Sequence, residues 1–355
     1  MQRYQAYIGG SWVDSASGAF LESDNPFTGK VWALIPRCNA EDVDRAVAAA
    51  RQAFESGDWA RLSPTQRGAL LRRLGDAVAE QADALAATET RDNGKLYSEM
   101  RTQLRYLPQW FYYFGGLADK IEGAVLPLDK PGVFNFTRHE PLGVIAAITP
   151  WNSPLMLLTW KLAAALAAGN TMVVKPSEFT SASTLEFARV LADAGLPAGV
   201  LNVVTGYGAE VGRPLVEHRG VDKIAFTGGD QSGQQVYEAA ARGIKPVTLE
   251  LGGKSANIIL EDAVIDNAVK GAVSGIFAAT GQTCIAGSRL LVHRSRHDEV
   301  VEKLVAFAGR ARMGDPMDLA TQVGPVTTRP QYDKILGYLD IARDEGARVA
   351  LGGGP

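Results

Sequence analysis

Between Gly143 and Leu251 the chain alternates short, continuous apolar runs with longer segments whose apolar residues recur at helical spacing. The runs are 144–149, 171–175, 200–205, 223–227 and 247–251, and the segments between them are 154–168, 181–194, 209–218 and 231–242. An apolar run without polar alternation needs cover on both faces, and a helix between consecutive runs makes them parallel. The pattern predicts an α/β fold built on a doubly wound parallel sheet. Ligands of such sheets bind beyond the carboxyl ends of the strands. Asn152, Lys175, Gly206, Gly228 and Glu250 all fall just after a run or at its end.

The flanks read differently. Turn signals at 7–12 and 25–29 border short extended segments. Asn39 caps a predicted helix running to about Phe54, with Val43, Val47, Ala50 and Phe54 on one face. Ser63-Pro64-Thr65-Gln66 starts a second, carrying Leu70, Leu71, Leu74, Val78 and Leu85. An aromatic-rich segment through Tyr106, Trp110 and Phe114 reads as core. Over 121–140, Pro127, Pro131 and Gly132 with alternating Val133, Phe134 and Phe136 predict a hairpin leaving the main body. Beyond Gly253 the alternation resumes: strand 255–260, a helix to Thr280, strand 290–293, a helix from Ser295 to about Arg312, a helix near 332–344 and a strand at 347–351.

Composition narrows the function. A net charge of −3 without a basic run disfavours nucleic acid as a partner. The N-terminus shows no basic-then-apolar leader, and the longest apolar stretch, 155–168, is broken by Lys161, so no membrane span is expected. Two cysteines, Cys38 and Cys284, make no disulfide framework and suit a reducing cytoplasm. The four histidines lack metal-ligand spacing; His293 and His297 are read as surface residues, and no metal is predicted.

The chemistry concentrates in two stretches. Glu250 ends an apolar run before Gly252-Gly253, and thirty-four positions later Cys284 sits among small residues, between Gly281 and Gly287. Either residue alone fits an ordinary role, a solvated strand end or a small buried apolar side chain. Together, each in a glycine frame, they suit a thiol nucleophile and a carboxylate base for a later water. Gly281 and Gly287 would let the backbone approach a ligand.

Leu249-Glu-Leu-Gly-Gly-Lys-Ser255 and Gly281-Gln-Thr-Cys284 resemble the two signatures of the aldehyde dehydrogenase superfamily. The resemblance implies Cys284 as nucleophile, Glu250 as general base and, through Thr149-Pro-Trp151-Asn152, an oxyanion site formed by the Asn152 amide and the Cys284 N–H. An Asn152 that caps the next helix is compatible with the same sequence. The small-molecule substrate is then an aldehyde, with Ser153, Leu157, Trp160 and Ile285 lining its pocket. Ser153 stands where many relatives have Phe, which should enlarge that pocket.

On the cofactor side, Lys175-Pro-Ser177-Glu178 resembles the family's adenosine-ribose motif. A carboxylate accepts from both ribose hydroxyls and repels a 2′-phosphate, which favours NAD over NADP. Gly206-Tyr-Gly208-Ala-Glu-Val-Gly212 is one residue longer than the dinucleotide fingerprint, and Gly228-Gly229 opens the next helix; either could be an ordinary tight turn. The resemblance assigns Gly228-Gly229 to the nicotinamide side and adds Trp151, Gly206 and Leu251 to the cofactor contacts.

The implied organisation is an NAD-binding domain at 1–120 and 141–252, an oligomerisation hairpin at 121–140 and a catalytic domain at 253–355 that stops short of the family's full length. With the remaining C-terminal part a homodimer or homotetramer is implied. Two rivals stay open on sequence alone: a non-catalytic fragment of such an enzyme, and a cofactor-free thiol hydrolase whose ester cleavage would ignore NAD.

Overall fold

In a computed structural model describing residues 1–354, the apolar runs form one seven-stranded sheet. In spatial order its strands are Val247–Leu251, Lys223–Gly228, Val144–Ile148, Thr171–Lys175, Leu201–Val203, Ala6–Ile8 and Ser11–Val13. The first five are mutually parallel; Ala6–Ile8 runs antiparallel to Leu201–Val203 and turns back on Ser11–Val13. The chain moves outward from Val144–Ile148 through the next two strands, then crosses to the other side for Lys223–Gly228. That reversal places the switch point of a doubly wound sheet between Val144–Ile148 and Lys223–Gly228.

Alternate residues of these strands enter two cores. Ile145, Ala147, Met172 and Val174 pack with Leu71 and Leu74 of helix Pro64–Asn93, Leu158 of Pro154–Ala167 and Leu185 of Ala182–Asp193. Val144, Ala146, Ile148 and Val173 pack on the other face with Val43 and Val47 of Ala40–Glu55 and Ala240 of Asp230–Arg242. Both predicted starts form capping boxes, Asn39 with Asp42 and Ser63 with Gln66. Val247–Leu251 departs from the expectation of two covered faces: it is the sheet edge, and Thr248, Glu250 and Leu251 are exposed.

The segment predicted as helix 209–218 is a wide π-type turn, Gly208–Gly212, followed by Arg213–Glu217. The aromatic segment is two helices, Tyr97–Tyr106 and Pro108–Leu117; Phe111 enters the core while Tyr106 is exposed. In the 121–140 hairpin, Val125–Leu126 pairs with Asn135–Phe136, and Phe134 and Phe136 lie exposed side by side.

Beyond Gly253, Ala256–Ile259 and Arg289–Val292 pair in parallel, and Ile259 packs with Ile265, Val269 and Val300 of helices Ile265–Phe277 and His297–Ala308. Helix Arg329–Asp344 follows. The strand expected at 347–351 is absent: no strand among the described residues pairs with it, and a strand exists only through its ladder. His293 and His297 are exposed, and both cysteines are free. No helix among the described residues is long and apolar enough to cross a membrane.

Candidate active site

The parallel strands deliver their chemistry to one edge. Ile148 leads into Thr149-Pro150-Trp151, Lys175 into Ser177-Glu178-Phe179, and Gly228 into Gly229 and helix Asp230–Arg242. Around the switch point these segments line a cleft of about 670 Å³, inside the range of roughly 300–1,000 Å³ usual for ligand clefts. Trp151, Lys175, Ser177, Glu178, Gly228 and Gly229 all face it, as do Gly208 and Gly212. The buried Lys175 Nζ donates to Glu178 Oε2 over 3.0 Å, which fixes a carboxylate at the cleft wall.

Two expected cofactor contacts lie off this wall. Gly206 is buried with φ +145°, and a Cβ there would meet Val211 and the Cys38 carbonyl. Leu251 packs on Gly233, where a Cβ would stand 2.5 Å from Leu251 Cδ2. Gly206 is enclosed by its own chain, while Leu251 keeps an exposed face.

The cysteine loop follows a bent path. Helix Ile265–Phe277 ends before the expected Thr280, because Ala279 and Thr280 adopt left-handed φ values of 56° and 54°. Residues with a Cβ pay for that conformation, and such strain is held only where neighbours fix it. Here the Glu99 carboxylate accepts the Ala279 N–H at 3.1 and 3.2 Å, and burial raises its pKa. Gly281 and Gly287 serve this path more directly than a ligand: Gly281 continues the left-handed run at φ 70°, and Gly287 lies against Asn257 and donates to the Gly275 carbonyl over 3.0 Å. Cys284 is exposed at the apex. A Cβ on Gly253 would stand only 3.3 Å from the Cys284 carbonyl. The Gly-Gly turn after Glu250 therefore lets the strand that ends in Glu250 and the cysteine loop touch.

Asn152 completes the grouping. Its Nδ2 donates over 2.8 Å to the carbonyl of Gln282, two residues before Cys284. The alternative role, capping helix Pro154–Ala167, is not what the structure shows: Ser153 holds the cap position, with no side-chain cap bond. Ser153 is buried and takes a 2.6 Å hydrogen bond from Lys95 Nζ. Leu157 is also buried, whereas Trp160, packed on Trp110 at 5.6 Å, and Ile285 are exposed.

Several residues here carried no readable signal. Lys161, noted only as an interruption of an apolar stretch, donates to Thr227 Oγ1 over 2.5 Å; Thr227 is the register partner of Glu250 on the neighbouring strand. Burial pulls Lys161 down to about 8, partly opposed by the Glu250 carboxylate. Lys95 is almost fully buried; burial lowers its pKa, while Glu89, Glu99 and Cys284 favour its charged form. Asn93, whose Oδ1 accepts the Lys95 N–H, is buried too, as are Gln282 and Thr327. The one clue was Asn93-Gly94, a turn dipeptide ending a long helix.

The sign of the Lys161 shift makes a measurable pH effect. Its folded pKa of about 8 lies below the ordinary 10.5, so between those values the unfolded chain binds more protons and stability rises with pH. Lys161→Met should flatten that rise by about 1–2 kcal/mol, after discounting for solvent at a half-buried site. Denaturant midpoints of both proteins across this pH window measure it; parallel curves would contradict the buried ammonium.

A doubly wound parallel sheet with a ligand cleft at its switch point defines an α/β protein of the nucleotide-binding type. More specifically, the chain belongs to the aldehyde dehydrogenase family, whose profile matches residues 12–355. It is 45% identical to (Z)-2-((N-methylformamido)methylene)-5-hydroxybutyrolactone dehydrogenase of Acinetobacter baylyi, over 99% of this chain and 72% of that protein. Among solved structures it is similar to an aldehyde dehydrogenase from Bacillus cereus in an NAD+ complex, at 42% identity and a TM-score of 0.97. That match covers 99% of this chain and 72% of the other. PnpE in complex with nicotinamide adenine dinucleotide matches at 45% identity and a TM-score of 0.96, with the same coverage.

Proposed function

We propose that the chain oxidises an aldehyde to its carboxylic acid with NAD, using Cys284 as nucleophile, Asn152 as oxyanion donor and Glu250 as the base for water. The observation that carries this reading is the Asn152 Nδ2–Gln282 hydrogen bond, which ties the oxyanion donor to the cysteine loop itself. The touch of Gly253 on Cys284 brings in the strand of Glu250.

The cleft residues suit NAD. Glu178, fixed by Lys175, offers a carboxylate to paired ribose hydroxyls, and nothing lies within 4 Å of a Cβ built on Gly208, Gly212 or Gly229, so a pyrophosphate can approach the backbone. When bound, NAD supplies the hydride acceptor. The chain supplies the rest. Cys284 Sγ, as thiolate, bonds to the aldehyde carbon, and the carbonyl oxygen becomes an alkoxide. The second N–H of the Asn152 amide and the Cys284 N–H stabilise that charge. Loss of the carbon-bound hydrogen with its electron pair leaves a thioester on Cys284. Glu250 then takes a proton from water, whose oxygen bonds to the acyl carbon as the C–S bond breaks, releasing the acid and the thiolate.

In this reading 1–120 and 141–252 form the cofactor-binding domain and 253–355 carries the nucleophile. Ser153 and Leu157 form the pocket floor and Trp160 and Ile285 its mouth. The exposed Phe134 and Phe136 of the hairpin suit contact with a second copy. The free thiols suit the cytoplasm.

Mixing the chain with NAD and a panel of aldehydes tests the reading: NADH should form in step with acid. Asn152→Ala should lower kcat/KM about a hundredfold, about 3 kcal/mol, with NAD affinity unchanged. Ester hydrolysis indifferent to NAD, without NADH, would favour the thiol-hydrolase alternative instead.

A further inference from the structure

Three buried residues, Asn93, Gln282 and Thr327, close a ring of hydrogen bonds with the half-buried Asn152, the proposed oxyanion donor. Asn93 Nδ2 donates to the Asn152 carbonyl over 3.3 Å, and Asn152 Nδ2 to the Gln282 carbonyl over 2.8 Å. The Thr327 N–H donates to Gln282 Oε1 over 2.9 Å, and Thr327 Oγ1 returns to the Asn93 carbonyl over 2.5 Å. The amide orientations are fixed by their partners: Asn93 Oδ1 accepts the Lys95 N–H over 2.9 Å, and Gln282 Nε2 faces the Pro325 carbonyl. The ring joins four separate pieces of chain: the end of helix Pro64–Asn93, the loop after Val144–Ile148, the cysteine loop and the segment before helix Arg329–Asp344.

Backbones meet closely at this junction. Gly94 sits at φ 74°, and a Cβ on it would lie 2.8 Å from Pro325 Cγ; a Cβ on Gly324 would lie 2.5 Å from the Gly94 carbonyl. Of the ring's side chains only Asn152 faces the chemistry. The others are buried, where a hydrogen bond is electrostatically stronger and a lost partner is costly.

We infer that Asn93 and Thr327 are positioning residues for the reaction, aiming the Asn152 amide and the Cys284 loop at one point in space. This rests on the reading of Asn152 and Cys284 given above. An oxyanion site must be set before charge develops, and a small misplacement lowers the rate without changing what binds. The hydroxyl of Thr327 is the ring's most separable member. Valine keeps its shape and its N–H but removes the bond to Asn93, and serine restores that bond.

Two readouts in the full chain test the clamp. By hydrogen exchange, peptides covering 278–287 should exchange about tenfold faster in Thr327→Val and return to the wild-type rate in Thr327→Ser. This arm needs no turnover, so it judges the clamp even if the wild-type chain makes no NADH, an outcome that would sink the functional reading alone. By kinetics, Thr327→Val should lower kcat about tenfold, with aldehyde KM and NAD affinity within twofold. Added to Asn152→Ala it should cost almost nothing further, because the donor it aims is gone. If Thr327→Val does not fold, Asn93→Asp, which keeps the acceptor for Lys95 and loses the donor to Asn152, should show the same exchange and the same non-additivity. Unchanged exchange, fully additive kinetics, or a defect that serine fails to restore would each overturn the inference.

Discussion

Cys284→Ala should abolish NADH formation from every aldehyde while leaving NAD affinity within a few-fold. The two halves of that result separate because the structure separates the groups. The cleft is walled by residues after Val144–Ile148, Thr171–Lys175 and Lys223–Gly228, and Cys284 is not among them. The thiol is exposed, so truncating it removes no core packing, and the cost in stability should stay within about 0.5 kcal/mol. Without sulfur the aldehyde carbon has no nucleophile, and no oxyanion forms for Asn152 to stabilise. Calorimetric NAD titration, thermal melting and NADH absorbance on one preparation measure all three quantities. Residual turnover would remove Cys284 from its role, and a collapse of NAD binding would mean that the loop supports the cleft as well.

What could be read in advance divides by sequence distance. The five parallel runs and the helix caps at Asn39 and Ser63 were legible because each is a local pattern with one physical solution. So was the convergence of Lys175, Gly228 and Glu250 on one sheet edge, since parallel strands must share a carboxyl end. The end of helix Ile265–Phe277 was not legible, because the left-handed turn at Ala279 and Thr280 is held by Glu99, some 180 positions away. Val349 and Leu351 have strand-like neighbours in sequence but no ladder partner among the described residues, and both are exposed. Lys161 reads only as a charge interrupting an apolar stretch and Lys95 carries no local signal; such lysines usually point to water. Their burial becomes visible only when Ser153 and Thr227 are folded over them. The Asn93–Asn152–Gln282–Thr327 ring spans more than two hundred positions with no periodicity, so no local reading could assemble it.

Glu250→Gln should separate the two halves of the reaction. Attack by Cys284 and hydride loss need the oxyanion site, which the substitution leaves alone, since Asn152 is tied to Gln282 and not to Glu250. Hydrolysis of the thioester needs a base for water, and an amide cannot take that proton. General-base catalysis is worth about 10²–10⁴-fold, so deacylation should slow by that factor and become rate-limiting. Rapid mixing of enzyme, NAD and aldehyde should then give a burst of about one NADH per site, followed by a slow steady state. The burst should survive because Glu250 lies at the exposed sheet edge, where an isosteric neutral side chain costs little packing. Lys161 supplies an internal control. The Glu250 carboxylate favours its ammonium, so the glutamine variant should lower the Lys161 pKa further below its present value of about 8. Loss of the burst together with the steady state would instead assign Glu250 to activation of the thiol.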